Sequence, residues 1–375
     1  MNAKSYVGIL VFIVLLLCII QVYQRAEITD LTLDRNYVTS SIKKEGQKDS
    51  NVSKLKQISV LKVWKDSTAS KDGGVIEDSY QKHLMSRLAD SYSTNSSYFD
   101  NHLETQRKRH AQLYSACSSM GYESYDSPSK NIWVNDKYKF VYCSIPKVAC
   151  TSWKSILLVL DGVADSTDQF SQRTINSKSG RWMKQLWKYP IHQQKFILQN
   201  YTKFMFSRDP FSRVLSAFRN KLSPNSTFER AKFWQAKIGG HILSRYRSTW
   251  QKGDPYDLKF SEFAHFINSG HGFNKHWNLQ YRQCRPCDID YTILGHFETL
   301  QEDSEFVLKV IGADKDVSFP SSNHSSPTNS SDESIFTSFY KTLSDKELRD
   351  LYQTYAKDYE LFNYPLPERL KNTKT

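Results

Sequence analysis

Two short segments of the sequence carry residue types that bind phosphate-like anions. The first, residues 146–152, reads PKVACTS, and the second, residues 208–216, reads RDPFSRVLS. Arginine can form two parallel hydrogen bonds to a phosphate group, and lysine places a compact positive charge beside one. The two segments together predict a site for a ligand that carries phosphate or a similar anion.

Each segment follows a run of strand-forming residues and precedes a helical pattern. The predicted strands cover 139–145 and 202–207, and the predicted helices cover 153–160 and 211–222. A loop between a strand and a helix presents free N–H groups at the positive end of the helix dipole, where anions bind. Asp209 is the predicted N-cap of the second helix, with Pro210 following it. The first segment lacks the G-x-x-x-x-G-K-[ST] pattern, which disfavours an ATP or GTP site and so a kinase or other phosphotransferase.

Simpler interpretations stay open for single residues of these segments. Arg208 and Asp209 could form only an intrachain ion pair, as an isolated Arg-Asp-Pro tripeptide commonly does. Cys150 lies where a thiolate would be favoured, but no His and Asp pair at a recognisable spacing supports covalent catalysis. A reaction at a hydroxyl group also needs a general base, and His276 and His192 are weak candidates because a lone histidine is more often structural.

The rest of the chain body predicts an α/β fold. Strand-like runs alternate with longer helical patterns, which favours a single domain with a central parallel sheet flanked by helices. Further helices are predicted over 260–267, 302–311 and 344–362, a strand over 291–294 and a polar loop over 321–332. The last helix has a capping box in Ser344 and Glu347.

The amino terminus predicts a membrane anchor. Residues 6–23 are apolar except for Gln21, and as a helix these 18 residues span about 27 Å. A cleavable signal peptide is the alternative, but no clear cleavage site follows. The polar, lysine- and serine-rich residues after the anchor are typical of a solvated stem. We therefore expect a cytoplasmic tail (1–5), an anchor (6–23), a stem (24–105) and a folded body (106–375).

Sequons and cysteines fit a body in an oxidising lumen. All N-x-S/T sequons follow the anchor; they begin at Asn51, Asn95, Asn200, Asn225, Asn323 and Asn329. Five cysteines also follow it, namely Cys117, Cys143, Cys150, Cys284 and Cys287, so at least one is unpaired. Zinc binding by Cys284 and Cys287 is disfavoured because no second pair of ligands accompanies them, and disulfide bonding is preferred.

The net charge of +12 indicates a partner rich in negative charge. Nucleic acid is excluded if the body is lumenal, which leaves an acidic glycan, a nucleotide or a membrane surface. The run Arg107-Lys108-Arg109-His110 suits a polyanionic glycan, although such a run is usually a solvated face.

The two anion-binding segments, extended to IPKVACTSWKSIL and SRDPFSRVLSAFRNKL, resemble the donor-binding motifs of Golgi carbohydrate sulfotransferases of the HNK-1 sulfotransferase family. That family includes the chondroitin and dermatan 4-O-sulfotransferases. The resemblance extends to residues 106–117, 276–277, 284–287 and 291–300. It departs from the family at Ser207, where an apolar residue is common, and at Asn278, where a proline-containing turn is common.

The resemblance implies a sulfotransferase fold that binds 3′-phosphoadenosine 5′-phosphosulfate (PAPS) without a metal. The residues expected to wrap the 5′-phosphosulfate are Pro146, Lys147, Val148, Ala149, Cys150, Thr151 and Ser152. Those expected in the 3′-phosphate motif are Arg208, Asp209, Pro210, Phe211, Ser212, Arg213, Val214, Leu215 and Ser216. Arg208 and Ser216 would make the direct contacts, Lys147 would be the catalytic cation, and Cys150 would serve only packing.

The implied function is transfer of a sulfonate group to a glycan, with position 4 of N-acetylgalactosamine in chondroitin or dermatan as the expected acceptor. The partners are then a glycosaminoglycan or glycoprotein glycan and the Golgi membrane, with homo-oligomerisation left open. Alternatives are a glucuronic acid 3-hydroxyl, an N-glycan N-acetylgalactosamine, or an inactive lumenal glycan-binding protein. The implied location is the Golgi membrane, with a single span and a lumenal catalytic body.

Overall fold

The computed structural model describes residues 96–120, 129–270, 272, 274–320 and 328–371. The predicted anchor, nearly all of the predicted stem, and the sequons at Asn51, Asn95 and Asn323 lie outside these ranges. Within them, no helix combines the length and apolar character that a membrane crossing requires.

A five-stranded sheet lies at the centre of the described fold. Its strands are β1 (Ile132–Asn135), β2 (Phe140–Cys143), β3 (Lys184–Gln185), β4 (Thr202–Ser207) and β5 (Ile293–His296). The strand order is β3-β1-β2-β4-β5. All residues of β1, β2 and β4 are buried, as expected for strands covered on both faces.

The sheet is mixed, so the prediction of a parallel sheet is right for only part of it. Strands β2, β4 and β5 are parallel, whereas β1 is antiparallel to both β2 and β3. The reason is the length of the β1–β2 connection, because residues 136–139 are too few for the crossover that parallel strands need. Lys139 closes this hairpin with a φ of 54°.

Helices pack on the sheet and around its edges. They are α1 (Ser96–Ser119), α2 (Cys150–Leu160), α3 (Gln172–Trp182), α4 (Ile191–Asn200), α5 (Pro210–Ala217), α6 (Ala231–Trp234), α7 (Gly240–Tyr246), α8 (Phe260–Asn268), α9 (Gln280–Cys284), α10 (Leu300–Val310), α11 (Glu333–Tyr340), α12 (Asp345–Leu361) and α13 (Glu368–Lys371). Two π-helical turns, Phe218–Leu222 and Gln235–Gly239, follow α5 and α6.

The helices predicted from apolar spacing are present with small shifts at their ends. Those predicted over 153–160, 260–267, 302–311 and 344–362 are α2, α8, α10 and α12. The capping box of α12 is confirmed, because Ser344 Oγ accepts from the Glu347 N–H and the Glu347 carboxylate accepts from the Ser344 N–H at 2.8 Å. The strand predicted over 291–294 begins two residues later, as β5.

Aromatic packing fixes α2 against β4 in the core. The Trp153 ring lies 4.6 Å from the Phe204 ring and 5.6 Å from the Phe206 ring, measured between centroids. On the neighbouring strand, a Cβ at Gly295 would lie 2.4 Å from the Phe206 ring, so only glycine fits there. This packing holds the starts of α2 and α5 at fixed positions relative to the sheet.

Helix α1 covers the free edge of β5. The Gln106 side chain donates to the Leu294 carbonyl at 3.2 Å and accepts from the Leu294 N–H at 2.8 Å. Arg109 donates to both Asp303 carboxylate oxygens at 2.9 Å. Covering an edge strand in this way prevents pairing with another chain. The expected boundary between stem and body, at residue 106, falls inside this helix.

The run Arg107–His110 does not form one basic surface. Arg109 is paired with Asp303, and Arg107 with Glu104 on the same helix. His110 is buried, and burial lowers its pKa to about 4, so it is neutral. Helical geometry turns successive residues to different faces, so the proposal that this run binds a polyanion is wrong for Arg109 and His110.

Two disulfides connect distant parts of the described chain, Cys117–Cys287 and Cys143–Cys284. Cys150 has a free thiol. Since Cys284 and Cys287 each pair with a remote cysteine, their thiols are not available to zinc, and the preference for disulfides is confirmed.

Candidate functional site

The two anion-binding segments meet at the carboxyl ends of adjacent parallel strands. Cys143 of β2 pairs with Met205 of β4, so the loops that follow these strands emerge at the same edge of the sheet. There, Arg208 Nη1 donates to the carbonyl oxygen of Lys147 at 3.0 Å. Residues from the two segments therefore contribute to one site.

The loop before α2 has a backbone shaped for an anion. Lys147 and Ala149 have positive φ values of 71° and 54°, with Val148 between them. Ala149 is the N-cap residue of α2, and no side chain caps that helix end. A turn that includes left-handed residues gathers N–H groups into a concavity, and the first N–H groups of a helix have no partner within it. An anion held here would meet these N–H groups and the positive end of the helix dipole.

Lys147 adds a partly buried positive charge to this loop. Burial, followed by repulsion from Arg208 and Arg213, lowers the pKa of Lys147 to about 8. Among the described residues no carboxylate lies within ion-pair distance of its ammonium group. An anionic ligand would supply the missing negative charge and raise the pKa again.

Arg208 lies in a pocket of hydroxyl groups rather than carboxylates. Its Nη2 donates to Ser330 Oγ at 2.8 Å and to Ser331 Oγ at 2.9 Å, and its guanidinium carbon lies 3.9 Å from the centroid of the Phe297 ring. Burial lowers its pKa to about 10, which leaves it charged at neutral pH. Its Nε is buried without a partner in the described structure.

The simpler interpretation, an Arg208–Asp209 ion pair, does not describe this geometry. The Asp209 carboxylate caps α5 instead, accepting from the Ser212 N–H at 2.7 Å, with Pro210 at the start of the helix. The predicted N-cap is thus confirmed. Of these two helices, α5 is capped by a side chain and α2 is not, so α2 is the one that presents an open helix end to a ligand.

Ser216 reaches the same pocket from two turns further along α5. Its hydroxyl oxygen lies 2.9 Å from Thr328 Oγ1, which lies 3.1 Å from Ser330 Oγ. Sequence reasoning missed Thr328, Ser330 and Ser331, because it treated 321–332 only as a polar loop. The sole signal was a run of polar residues that begins with Thr-Asn-Ser-Ser at position 328.

Gln280 holds the Arg208 backbone from the other side. Its side chain accepts from the Arg208 N–H at 3.0 Å and donates to the Arg208 carbonyl at 2.8 Å. Gln280 begins α9, and the buried carboxylate of Asp358 accepts from the N–H groups of Gln280 and Tyr281 at 2.7 and 2.9 Å. This chain of contacts from α12 fixes Arg208, and neither residue was predicted.

Arg213 braces the site instead of facing a ligand. It is fully buried, and its guanidinium donates to the carbonyl oxygens of Pro146, Asn278 and Lys275 at 3.0, 2.7 and 3.0 Å. It therefore ties the loop before α2 to residues 275–278.

Of the other residues in the two predicted segments, some are buried in the core and one, Thr151, contacts a neighbouring helix. Phe211, Val214 and Leu215 are buried in the core, where the Phe211 ring stacks on Tyr340. Val148 is also fully buried, whereas the Thr151 hydroxyl accepts from Asn176 Nδ2 at 3.3 Å. The side chains of Phe211, Val214, Leu215 and Val148 therefore belong to the core and do not face a ligand.

His276 lies near the cations of the site, and His192 does not. His276 Nδ1 is 2.6 Å from Asn274 Oδ1, and its ring meets Trp234 edge-on at 5.0 Å. Burial first, then the charges of Lys221, Lys275 and Lys147, lowers its pKa well below the ordinary value. His192 is exposed on α4.

Lys221 is a further cation that sequence reasoning missed. It is buried in the π-helical turn after α5, with its ammonium 3.8 Å from the Phe228 ring centroid and 5.2 Å from that of Trp234. Burial, then repulsion from Lys147, lowers its pKa to about 7. π-helical turns often occur at functional sites, but the five-residue turn of Lys221 cannot be recognised from apolar spacing.

The chain is similar to sulfotransferases over most of its described length. Residues 130–365 match the profile of a family described as the sulfotransferase family. Carbohydrate sulfotransferase 11 of Rattus norvegicus is 34% identical over 254 residues, which cover 64% of this chain and 69% of the relative.

Other relatives have similar names. Carbohydrate sulfotransferase 9 of Homo sapiens is 34% identical over 278 residues, covering 70% of this chain and 61% of the relative. Carbohydrate sulfotransferase 10 of Gallus gallus is 30% identical over 250 residues, covering 64% and 68%. No solved structure matches the chain significantly.

Proposed function

Since this chain belongs to the sulfotransferase family, we propose that it transfers a sulfonate group from PAPS to a sugar hydroxyl, namely position 4 of N-acetylgalactosamine in chondroitin or dermatan. It is an enzyme of the carbohydrate sulfotransferase type, as its relatives' names indicate. The contact between Arg208 and the Lys147 carbonyl carries the proposal, because it joins the two halves of a site for a ligand with two separated anionic groups.

The chemistry of the donor set supports PAPS as that ligand. At one end, the uncapped start of α2 and the Lys147 ammonium suit a phosphosulfate. At the other end, Arg208 with its unpartnered Nε and the Ser216 hydroxyl suit a 3′-phosphate. Both ends need negative charge to offset the repulsion between their buried cations.

Bound PAPS supplies a sulfonate group whose bond to the bridging oxygen breaks, with the electron pair leaving on that oxygen. Lys147 and the N–H groups of the loop before α2 are positioned to stabilise the negative charge that develops there. Because they are held in place before the reaction, they stabilise the transition state more than the ground state.

His276 is the proposed general base. Asn274 Oδ1 can only accept, so the 2.6 Å contact makes His276 Nδ1 the donor and leaves Nε2 as the acceptor. Burial, followed by the charges of the nearby cations, lowers the pKa of His276 and keeps the ring neutral. Nε2 would take the acceptor hydroxyl's proton while the hydroxyl oxygen bonds to sulfur.

The proposed location is the Golgi membrane, with residues 6–23 as the anchor and a lumenal body. The two disulfides support an oxidising compartment. Two of the described sequon residues, Asn225 and Asn329, are exposed in loops, and Asn200 is exposed at the end of α4; these three are proposed glycosylation sites.

The test is an acceptor screen with the purified lumenal body and isotopically labelled PAPS. We expect label on desulfated chondroitin or dermatan, with 4-sulfated N-acetylgalactosamine after digestion to disaccharides. Label only on glucuronic acid or on glycoprotein N-glycans would replace the proposed acceptor. No transfer to any acceptor, with glycan binding retained, would favour an inactive glycan-binding protein instead.

A further inference from the structure

One segment of the described chain has an extreme charge distribution. Residues 169–200 contain no Asp or Glu, although the whole chain has 39 of them. The same residues carry six basic side chains, Arg173, Lys178, Arg181, Lys184, Lys188 and Lys195. Two of the six pair with acids outside the segment, Arg173 with Glu229 and Lys184 with Asp136, and the Trp187 side of the segment keeps its lysines. The segment comprises α3, β3 and α4, and the proposed reaction assigns none of it a role.

Part of this segment lies at the same edge of the sheet as the donor loop. Trp133 of β1 pairs with both Tyr142 of β2 and Gln185 of β3, each time antiparallel, so β3 runs in the same direction as β2. The residues after Gln185 therefore leave the sheet at the edge where residues 144–149 leave it. Two strand spacings separate them, about 10 Å.

A side-chain contact also joins this segment to the donor loop. Asn176 of α3 donates to the Thr151 hydroxyl at 3.3 Å. A chain bound along α3 and β3 could thus continue directly into the site at Lys147.

Trp187 presents an aromatic ring flanked by cations. It is 42% exposed, one of three large hydrophobic side chains exposed in the described structure. Lys130 Nζ and Lys188 Nζ lie 5.6 and 5.7 Å from its ring centroid. Lys188 Nζ is fixed there by the Gly180 carbonyl at 2.8 Å. We call Trp187, Lys130 and Lys188 the Trp187 face.

We propose that the Trp187 face binds the anionic acceptor glycan at sugars beyond the one that receives the sulfonate. The apolar face of a sugar ring stacks on an indole, and the flanking ammonium groups pair with carboxylates or sulfate esters of the same chain. This inference rests on the proposed function and specifies its substrate as an extended polyanion.

The position of the lysines relative to Trp187, rather than the sign of their charge, favours a glycan over other occupants. An anionic membrane would also be attracted to lysines, and the exposed Ile191 and Phe196 on α4 could enter a bilayer. However, the lysines flank the ring of Trp187 itself, which fits a ligand that alternates apolar ring faces with charges.

The test compares the triple variant Trp187→Ala, Lys130→Ala, Lys188→Ala with the unmodified lumenal body. We expect KM for polymeric chondroitin to rise roughly tenfold at low salt, with the difference shrinking at high salt. The kcat, KM for PAPS and KM for a short acceptor oligosaccharide should not change. Lys357→Ala is the control, because Lys357 lies at a similar distance, 5.8 Å, from the Tyr281 ring but outside this segment.

A second measurement separates this inference from the proposed function. Binding to surfaces coated with chondroitin, with a neutral polysaccharide, or with vesicles of anionic phospholipid needs no PAPS. The triple variant should lose binding to chondroitin only. The proposal would be overturned if the triple variant had an unchanged KM for polymeric chondroitin. It would also be overturned if the variant lost binding to the neutral polysaccharide as much as to chondroitin, or lost binding to the vesicles alone. Absence of sulfonate transfer by the unmodified protein would overturn the proposed function instead.

Discussion

Lys147 is the residue on which the proposed chemistry depends most. Lys147→Ala removes the only side-chain cation of the loop before α2, so kcat should fall about 10²- to 10³-fold. Single-turnover rates with labelled PAPS measure this directly. Lys346→Ala, on an exposed face of α12, should have no effect. A loss smaller than tenfold would mean that another group stabilises the leaving oxygen.

The lowered pKa of Lys147 predicts an alkaline limit to donor binding. Its pKa of about 8 in the free enzyme means that the ammonium loses its proton as pH rises through 8, so kcat/KM for PAPS should decline there. Lys147→Arg keeps its charge and should move the decline to higher pH. Titration of Lys221, whose pKa is about 7, would also weaken anion binding, and Lys221→Arg tests that contribution separately. A decline unchanged in both variants would contradict the assignment.

His276 should act as a base and not as a binding residue. His276→Gln should lower kcat by about 10²- to 10⁴-fold while KM for PAPS stays nearly constant. Because the pKa of His276 is lowered, the unmodified enzyme should keep its rate below pH 6.5, where an ordinary histidine would be protonated. His192→Gln is the matched control on the exposed side of α4. Equal loss in both variants would exclude His276 as the specific base.

At the scale of elements, Gln280 shows how one helix positions a residue of another. Gln280→Ala removes both hydrogen bonds to the Arg208 backbone, and displacement of Arg208 should raise KM for PAPS roughly 10- to 100-fold. Gln194→Ala is a matched control, since Gln194 on α4 is also buried and its side chain also donates to a backbone carbonyl, that of Tyr189. Both variants should lose stability, but only Gln280→Ala should weaken the response of the melting temperature to 3′,5′-ADP.

The elements that position the site could be predicted where local patterns determine them. Strand β4 was predicted over the residues that form it, because TKFMFS is a short buried run bounded by turn residues. The Asp209 cap and the Ser344 capping box are also local. The antiparallel β1 was missed since its four residues carry little signal, and its pairing depends on the short turn before β2.

The residues of the candidate site also divide into those that lie in contiguous motifs and those that only the fold brings together. The segments around Lys147 and Arg208 are contiguous motifs, so sequence reasoning found them. The hydroxyl groups of Thr328 and Ser330 come from more than 110 residues downstream of Ser216, and only the folded chain brings them together. The residue types alone do not distinguish Arg213, which binds three carbonyl groups, from Arg208, which faces the pocket; only the family resemblance assigned the direct contact to Arg208.

At the scale of the whole molecule, the disulfides predict a large stability difference between oxidised and reduced protein. Cys143 and Cys284 are 141 residues apart, and closing so long a loop stabilises the folded chain by about 5 kcal/mol in the chain-entropy description. The double variant Cys143→Ala, Cys284→Ala should lose about that much in denaturant unfolding.

The free thiol provides the control for this measurement. Cys150→Ala should keep both its stability and most of its activity, because Cys150 forms no disulfide and the proposed mechanism involves no covalent intermediate. If Cys150→Ala folded normally but lost all activity, the result would support covalent catalysis by Cys150. A double variant as stable as the unmodified protein would mean that the disulfide does not contribute as described.

If PAPS binds as proposed, the bond between Arg208 and the Lys147 carbonyl would also make donor selection cooperative. A 3′-phosphate bound at the unpartnered Arg208 Nε would add to the hydrogen bonds that already hold this arginine, and so would steady the loop backbone attached to it. Adenosine 5′-phosphosulfate, which lacks the 3′-phosphate, would then be discriminated against twice, once in affinity and again in turnover. The enzyme would distinguish donors with and without the 3′-phosphate by how well the loop is aligned, even when both molecules fill the same groove.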